Sequence, residues 1–251
     1  MAPSFNATWL RYQAVQLIDS GSSGVGDCCG MPRTDRFGCW QDGSMGVPAV
    51  RLIRFVTVAA LTVLAMFACV GAAPAANAAL QNKLDGSLAA LWTSVLETPS
   101  AQNSFGTGGA EFNCWDLGRT VAPFDPTAVD SCTVRPGTGI FVVGHSFECS
   151  TFEGNGTTDA ELRTCARNGD PTTPPTISVD GSPVPVTEAE TPLLEITLPA
   201  DNIFGLPAGI EGLSVAHGWV ALLHPLTPGT HTIVITTGTS TVTTKIIVAS
   251  P

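Results

Sequence analysis

The chain has 251 residues, 44% hydrophobic and only 13% charged, with a formal net charge of −10. That length is enough for one domain of ordinary size with a proper core. The acidic balance excludes nucleic acid and anionic membrane as electrostatically favoured partners.

Residues 1–50 lack sustained periodicity and read as a leader. Cys28, Cys29 and Cys39 have neither the paired spacing nor the histidines of a zinc site. Residues 51–78 have the parts of a secretory signal peptide: Arg51 and Arg54, an uncharged apolar run from Phe55, and an Ala76-Asn77-Ala78 cleavage site after Pro74. An export signal normally stands near a chain start, so translation from Met45 or Val47 is the expectation. Cleavage after Ala78 would leave a domain of residues 79–251. The alternative is an uncleaved anchor over residues 55–73, long enough for a membrane helix, with residues 1–50 as a cytoplasmic tail. A lipid-attachment reading of Cys69 is weakened by Met66-Phe67-Ala68 before it.

The body after Ala78 holds six basic residues against seventeen acidic ones, a formal charge of −11. Its four cysteines, Cys114, Cys132, Cys149 and Cys165, fit two disulfides in an oxidising compartment. Of three connectivities, pairing of sequence neighbours is favoured, and each short loop would stabilise by about 3 kcal/mol. Residues 80–97 place Leu80, Leu84, Leu88, Leu91, Trp92, Val95 and Leu96 on one helical stripe that Pro99 ends. Residues 100–130 read as loops around a short CWDLGRTV segment. There Asp116, Asp125 and Asp130 are candidate calcium ligands, although their spacing matches no calcium loop.

Residues 139–144 read as a strand running into His145-Ser146-Phe147-Glu148-Cys149. A strand followed by Gly-His-Ser-Phe-Gly would be a nucleophile elbow, but Glu148 stands where the last glycine belongs. The catalytic candidates are therefore Ser146 with a base from His217, His224 or His231, or a proton or metal cluster joining His145 and Glu148 to those histidines. Residues 157–167 suggest a short helix capped by Thr158 or Asp159, with Glu161 in its first turn. Strands follow at 176–179, 184–186, 193–198, 212–223, 230–237 and 241–248, with turns at Asp180-Gly181 and 225–229. Period-two alternation places Val242, Ile246 and Val248 in the core, with Ile233 and Ile235. A turn after His224 would bring it near His231 across a hairpin. Trp92, Trp115 and Trp219 are core residues or, alternatively, a sugar-stacking platform.

The short strands with Gly/Pro turns predict a mainly β fold: an antiparallel β-sandwich, jelly-roll or Ig-like, with one N-terminal amphipathic helix. The segments FECST (147–151), ELRTC (161–165), VDG (179–181) and AHGWVALLHPLTPGTHTI (216–233) resemble an uncharacterised group of secreted bacterial β-rich proteins without assigned activity, over residues 132–235. The resemblance implies secretion and a β-rich fold, and transfers no catalytic residue. The group more often has Asp-Gly-Tyr where His217-Gly218-Trp219 stands. The functional expectation is a secreted or cell-envelope binding module with an extracellular or cell-wall ligand, touching membrane only through its signal. The alternative is an extracytoplasmic hydrolase.

Overall fold

A computed structural model describes residues 72–125 and 129–250. The expected leader and the charged and apolar parts of the expected export signal, including residues 55–71 of the anchor alternative, lie outside the described residues. Among the described residues no helix is long and apolar enough to cross a membrane. Those from Leu80 onward belong to one compact unit, and residues 72–79 to another.

The fold is mainly β, with two helices and eleven strands among the described residues. Among the described residues helix α1, Ala72–Glu97, includes eight residues ahead of its apolar stripe. This stretch is rich in alanine, the best helix former. Leu84, Leu88, Leu91, Trp92, Val95 and Leu96 are buried, whereas Leu80 is 49% exposed and leaves the stripe. Beyond α1, Asn103 donates from Nδ2 to the carbonyl of Val95 at 2.6 Å and accepts from the N–H of Phe105, satisfying a carbonyl at the helix end.

The strands are β1 (Cys114–Asp116), β2 (Thr120–Pro123), β3 (Ser131–Val134), β4 (Gly139–Ser150), β5 (Thr176–Val179), β6 (Ser182–Val184), β7 (Thr187–Glu190), β8 (Leu194–Thr197), β9 (Glu211–Leu223), β10 (Gly229–Thr237) and β11 (Ser240–Val248). They form two sheets. The first has the order β1-β2-β4-β9-β7, with β8 also paired to β9, and the second has the order β3-β11-β10-β5-β6. Both are mixed, which corrects the purely antiparallel expectation: β2 runs parallel to β4, and β3 parallel to β11. The chain leaves β2, forms β3 in the other sheet and returns as β4, and such a crossover delivers the strand in the same direction. Likewise residues 224–228 link β9 in one sheet to β10 in the other, so the expected hairpin that would set His224 opposite His231 is absent.

The first sheet is buried on both faces. On β4, Ile140 and Val142 join a cluster with Cys132, Ile177, Ile233, Ile246 and Val248 of the second sheet. Phe141 and Val143 point the other way, into a cluster with α1. At Gly144 the β4–β9 register shifts by one residue, a β-bulge, and a Cβ there would lie 2.8 Å from Pro175. A one-residue shift exchanges the faces beyond it, so Cys149 and half-buried Phe147 now face away from α1. Helix α2, Asp159–Asn168, packs there with Leu162, Ala166 and Val215. Thr158 and Glu161 complete its reciprocal capping box.

The disulfides are Cys114–Cys132 and Cys149–Cys165, the favoured neighbour pairing. The first ties β1 to β3 and so links the sheets; the second fastens α2 to β4. Disulfides of this kind persist in oxidising compartments.

Candidate functional site

The β4–β9 ladder positions the residues that carry chemistry. His145 pairs with Trp219, Ser146 with Gly218, Phe147 with His217 and Glu148 with Ala216. Opposed residues of an antiparallel pair share a face, so His145 and His217 lie on the α2 side. Ser146 and Glu148 lie on the α1 side.

On the α2 side, Asp170, just past the end of α2, reaches back to the sheet. His217 Nδ1–H donates to Asp170 Oδ2 at 2.5 Å, and His145 Nε2–H donates to the Gly169 carbonyl at 3.0 Å. His145 Nε2 also stands 3.9 Å from Asp170 Oδ1, a buried oxygen with no hydrogen-bond partner. The hydrogen bond from His217 to Asp170 raises the imidazole pKa against the opposing effect of burial. Burial lowers that of His145, partly offset by the Asp170 charge. One carboxylate thus sits between a readily protonated imidazole and a reluctant one. The arrangement fixes the ring of His217, as a carboxylate does for a general base. It also anchors the end of α2, beside the ion pairs of Arg163 and Arg167 with Glu190 on β7.

On the α1 side, Ser146 Oγ accepts from Trp92 Nε1 at 2.9 Å and donates to the carbonyl of His217 at 2.9 Å. Ser146 is buried, and it stands within a continuous strand rather than on a turn, so the nucleophile-elbow geometry is absent. Glu148 is 1% exposed: Oε1 accepts from Ser214 Oγ at 2.5 Å, and Oε2 has no partner. The 151–154 turn brings Glu153 alongside, with Ser150 Oγ donating to it at 3.0 Å. Burial pushes the Glu148 carboxyl well up, and the Glu153 charge adds to this; burial raises Glu153 as well.

The remaining candidates are scattered. His224 is exposed beyond β9, and His231 is held by Asp180 at 2.7 Å and by the Thr227 carbonyl at 2.9 Å. No group of three or more His, Cys, Asp or Glu among the described residues is placed to hold a metal ion. That covers Asp116, which accepts from the Gly118 N–H, and Asp125 and Asp130. The tryptophans form no common platform. Trp92, on α1, and Trp115 are buried in the cluster between α1 and the sheet, Trp92 edge-on to Phe124 at 5.5 Å, whereas Trp219 is half-buried on the other face of the sheet. Asp170, Glu153 and Ser214 are the participants that sequence reading missed. The nearest signal was Asp170 following Gly169, just beyond a helix that a disulfide returns to β4.

No protein-family model matches the chain, and no curated protein does. Among solved structures, the solution structure of Amebosin matches at 9% identity with a TM-score of 0.20, over 51% of this chain and 95% of that one. A score that low carries no argument about fold or function.

Proposed function

We propose that the protein is a secreted, cell-envelope-associated binding module without catalytic activity, built as a β-sandwich and akin to the uncharacterised secreted bacterial group it resembles. The reading rests on one observation. The hydroxyl of Ser146 is engaged on the α1 side of the sheet, and the imidazoles of His145 and His217 lie on the α2 side. A nucleophile and its base must lie within hydrogen-bond reach, and a sheet separates these.

The ligand surface in this reading is the outer face of the second sheet. Thr133, Thr230, Thr232, Thr236, Thr241 and Thr243 share it by strand parity, and Lys245 is the one charged residue that the strands of this sheet carry there. Hydroxyls on a face with a single charge suit a neutral glycan, which an acidic protein meets without repulsion. Incubating the secreted chain with cell-wall glycan tests this: recovery above background, lost in Thr232→Glu/Thr243→Glu, is expected. Recovery at background overturns it.

The hydrolytic alternative keeps one supporting observation, the His217–Asp170 pair. Fluorophosphonate labelling that disappears in Ser146→Ala would favour its serine version, and absence of labelling on the folded chain would sink it.

A further inference from the structure

The β4 bulge opens onto a feature that neither the His217–Asp170 pair nor the threonine face uses. Among the described residues strand β2 pairs with β4 only at Gly139 and Ile140, and no other strand pairs with this edge of β4 beyond them. A cavity of about 150 Å³ lies along it, between the bulge and the inner face of the β10–β11 hairpin. Val129, Ile235 and Val242 give it apolar walls, and Thr237, Ser240 and Thr244 give it hydroxyls. Thr237 Oγ1 already crosses between the sheets to donate to the carbonyl of Gly144 at 3.2 Å. His145 and Asp125 border the same space.

From this we infer a binding site for a small uncharged amphipathic molecule, an apolar body the size of one six-membered ring with a single hydroxyl. Volume sets the body, since a cavity of about 150 Å³ is large enough to hold benzene. The mixed lining sets the head group, because threonine and serine hydroxyls both donate and accept, so one ligand hydroxyl finds a partner among them. Asp125 at its border disfavours an anion, and no lysine or arginine lines the space to neutralise one. Edge-strand backbone that another strand would otherwise satisfy supplies further polar atoms at the bulge. Position supports the assignment as well: bulges occur next to binding sites, where they turn side chains towards a new partner.

The site deepens the binding-module reading and rests on it only in requiring no turnover of the ligand. Phenol is the probe, titrated into the isotope-labelled secreted chain with amide and methyl shifts recorded. Saturable shifts confined to Val129, Gly144, His145, Ile235 and Val242 are expected, with a dissociation constant of about 1 mM, the level a ligand of this size reaches. Val242→Trp, which fills the cavity, is expected to abolish them. Thr237→Val, which keeps the shape but removes a hydroxyl, is expected to weaken phenol several-fold and leave benzene unchanged. Should Val242→Trp not fold, xenon under pressure on the unsubstituted chain is expected to shift the Val129, Ile235 and Val242 methyls. Non-saturating or dispersed phenol shifts, or shifts that persist in a folded Val242→Trp, overturn the proposal. Glycan recovery that survives such a failure would leave the binding-module reading standing; loss of glycan recovery with phenol still bound would do the reverse.

Discussion

At the scale of single residues, the two faces of β4 hold acids and bases whose protonation is coupled to folding. The folded-state pKa of His217 is raised by Asp170. Its contribution is therefore fully present below the unfolded value near 6.5 and is lost as pH rises through the folded one. Asp170→Asn is expected to lower stability by about 1–2 kcal/mol at pH 5.5, as removal of a charged hydrogen-bond partner does. The deficit should shrink above pH 8, which urea unfolding at the two pH values checks; a deficit independent of pH would argue against a charged His217. Glu148 follows the same sign for a different reason, because burial holds its carboxyl protonated. Its contribution is present below about pH 4.5 and fades as pH rises through the raised value. In Glu148→Gln a neutral amide replaces a group that must ionise beside Glu153. The variant is expected to match the parent near pH 4 and to exceed it by about 1 kcal/mol or more at pH 8, the scale of one relieved buried polar group. A variant less stable than the parent at pH 8 would contradict this.

At the scale of elements, the fold depends on a few close approaches along the β4–β9 ladder. A Cβ on Gly218 would collide with the carbonyl oxygen of His145 and lie 2.8 Å from Ser146 Cα, both backbone atoms that cannot swing away. Gly218→Ala is accordingly expected to cost about 3 kcal/mol or more, measured by urea unfolding, as other severe core overpacking does. The two disulfides act on different layers. Replacing Cys149 and Cys165 by alanine is expected to cost about 3 kcal/mol and to release α2, so the His217–Asp170 contact should loosen with it. Amide exchange in residues 159–168 that stays as slow as in the parent would separate the helix from its bridge. These contrasts also explain what the sequence could reveal. The capping box of Thr158 and Glu161, the alternation in Ser240–Val248 and the nearest-neighbour cysteine pairs are local signals, and a reader of the chain finds them. Strand Thr187–Glu190 carries no apolar alternation and exists because the edge of β9 offers it hydrogen bonds. The bulge at Gly144 changes which face His145 and Ser146 occupy, and no local pattern in GHSFEC announces it. Asp170 meets His217 across 47 residues, a relation set by helix placement rather than by spacing.

At the scale of the whole molecule, these titrations combine into a pH profile. On the acid side, hydrogen bonds from the Thr157 and Thr158 amides hold Glu161 below its ordinary value, and a bond from the Thr232 amide, with His231, does so for Asp180. Arg167 and Arg163 lower Glu190 against the effect of its burial. Each contributes stability that is present above about pH 4.5 and lost as pH falls through the depressed value. His145 works in the same sense, since its lowered pKa disfavours folding once the unfolded imidazole begins to protonate below about pH 6.5. On the alkaline side the order reverses. His217 and His231, both raised by carboxylate partners, lose their contributions as pH rises through their folded values, and Glu148 is forced to ionise in its buried site beside Glu153. The formal charge of −10 at pH 7 adds self-repulsion that grows in the same direction. Stability is therefore expected to peak on the acidic side of neutrality, between about pH 5 and 7. Thermal midpoints of the disulfide-intact chain from pH 3 to 9 should trace a dome, and its alkaline limb should flatten in Glu148→Gln. A midpoint that climbs steadily from pH 5 to 9 would mean that Glu148 meets a cation or water able to stabilise its charge, and the acid-favoured balance would fall with it.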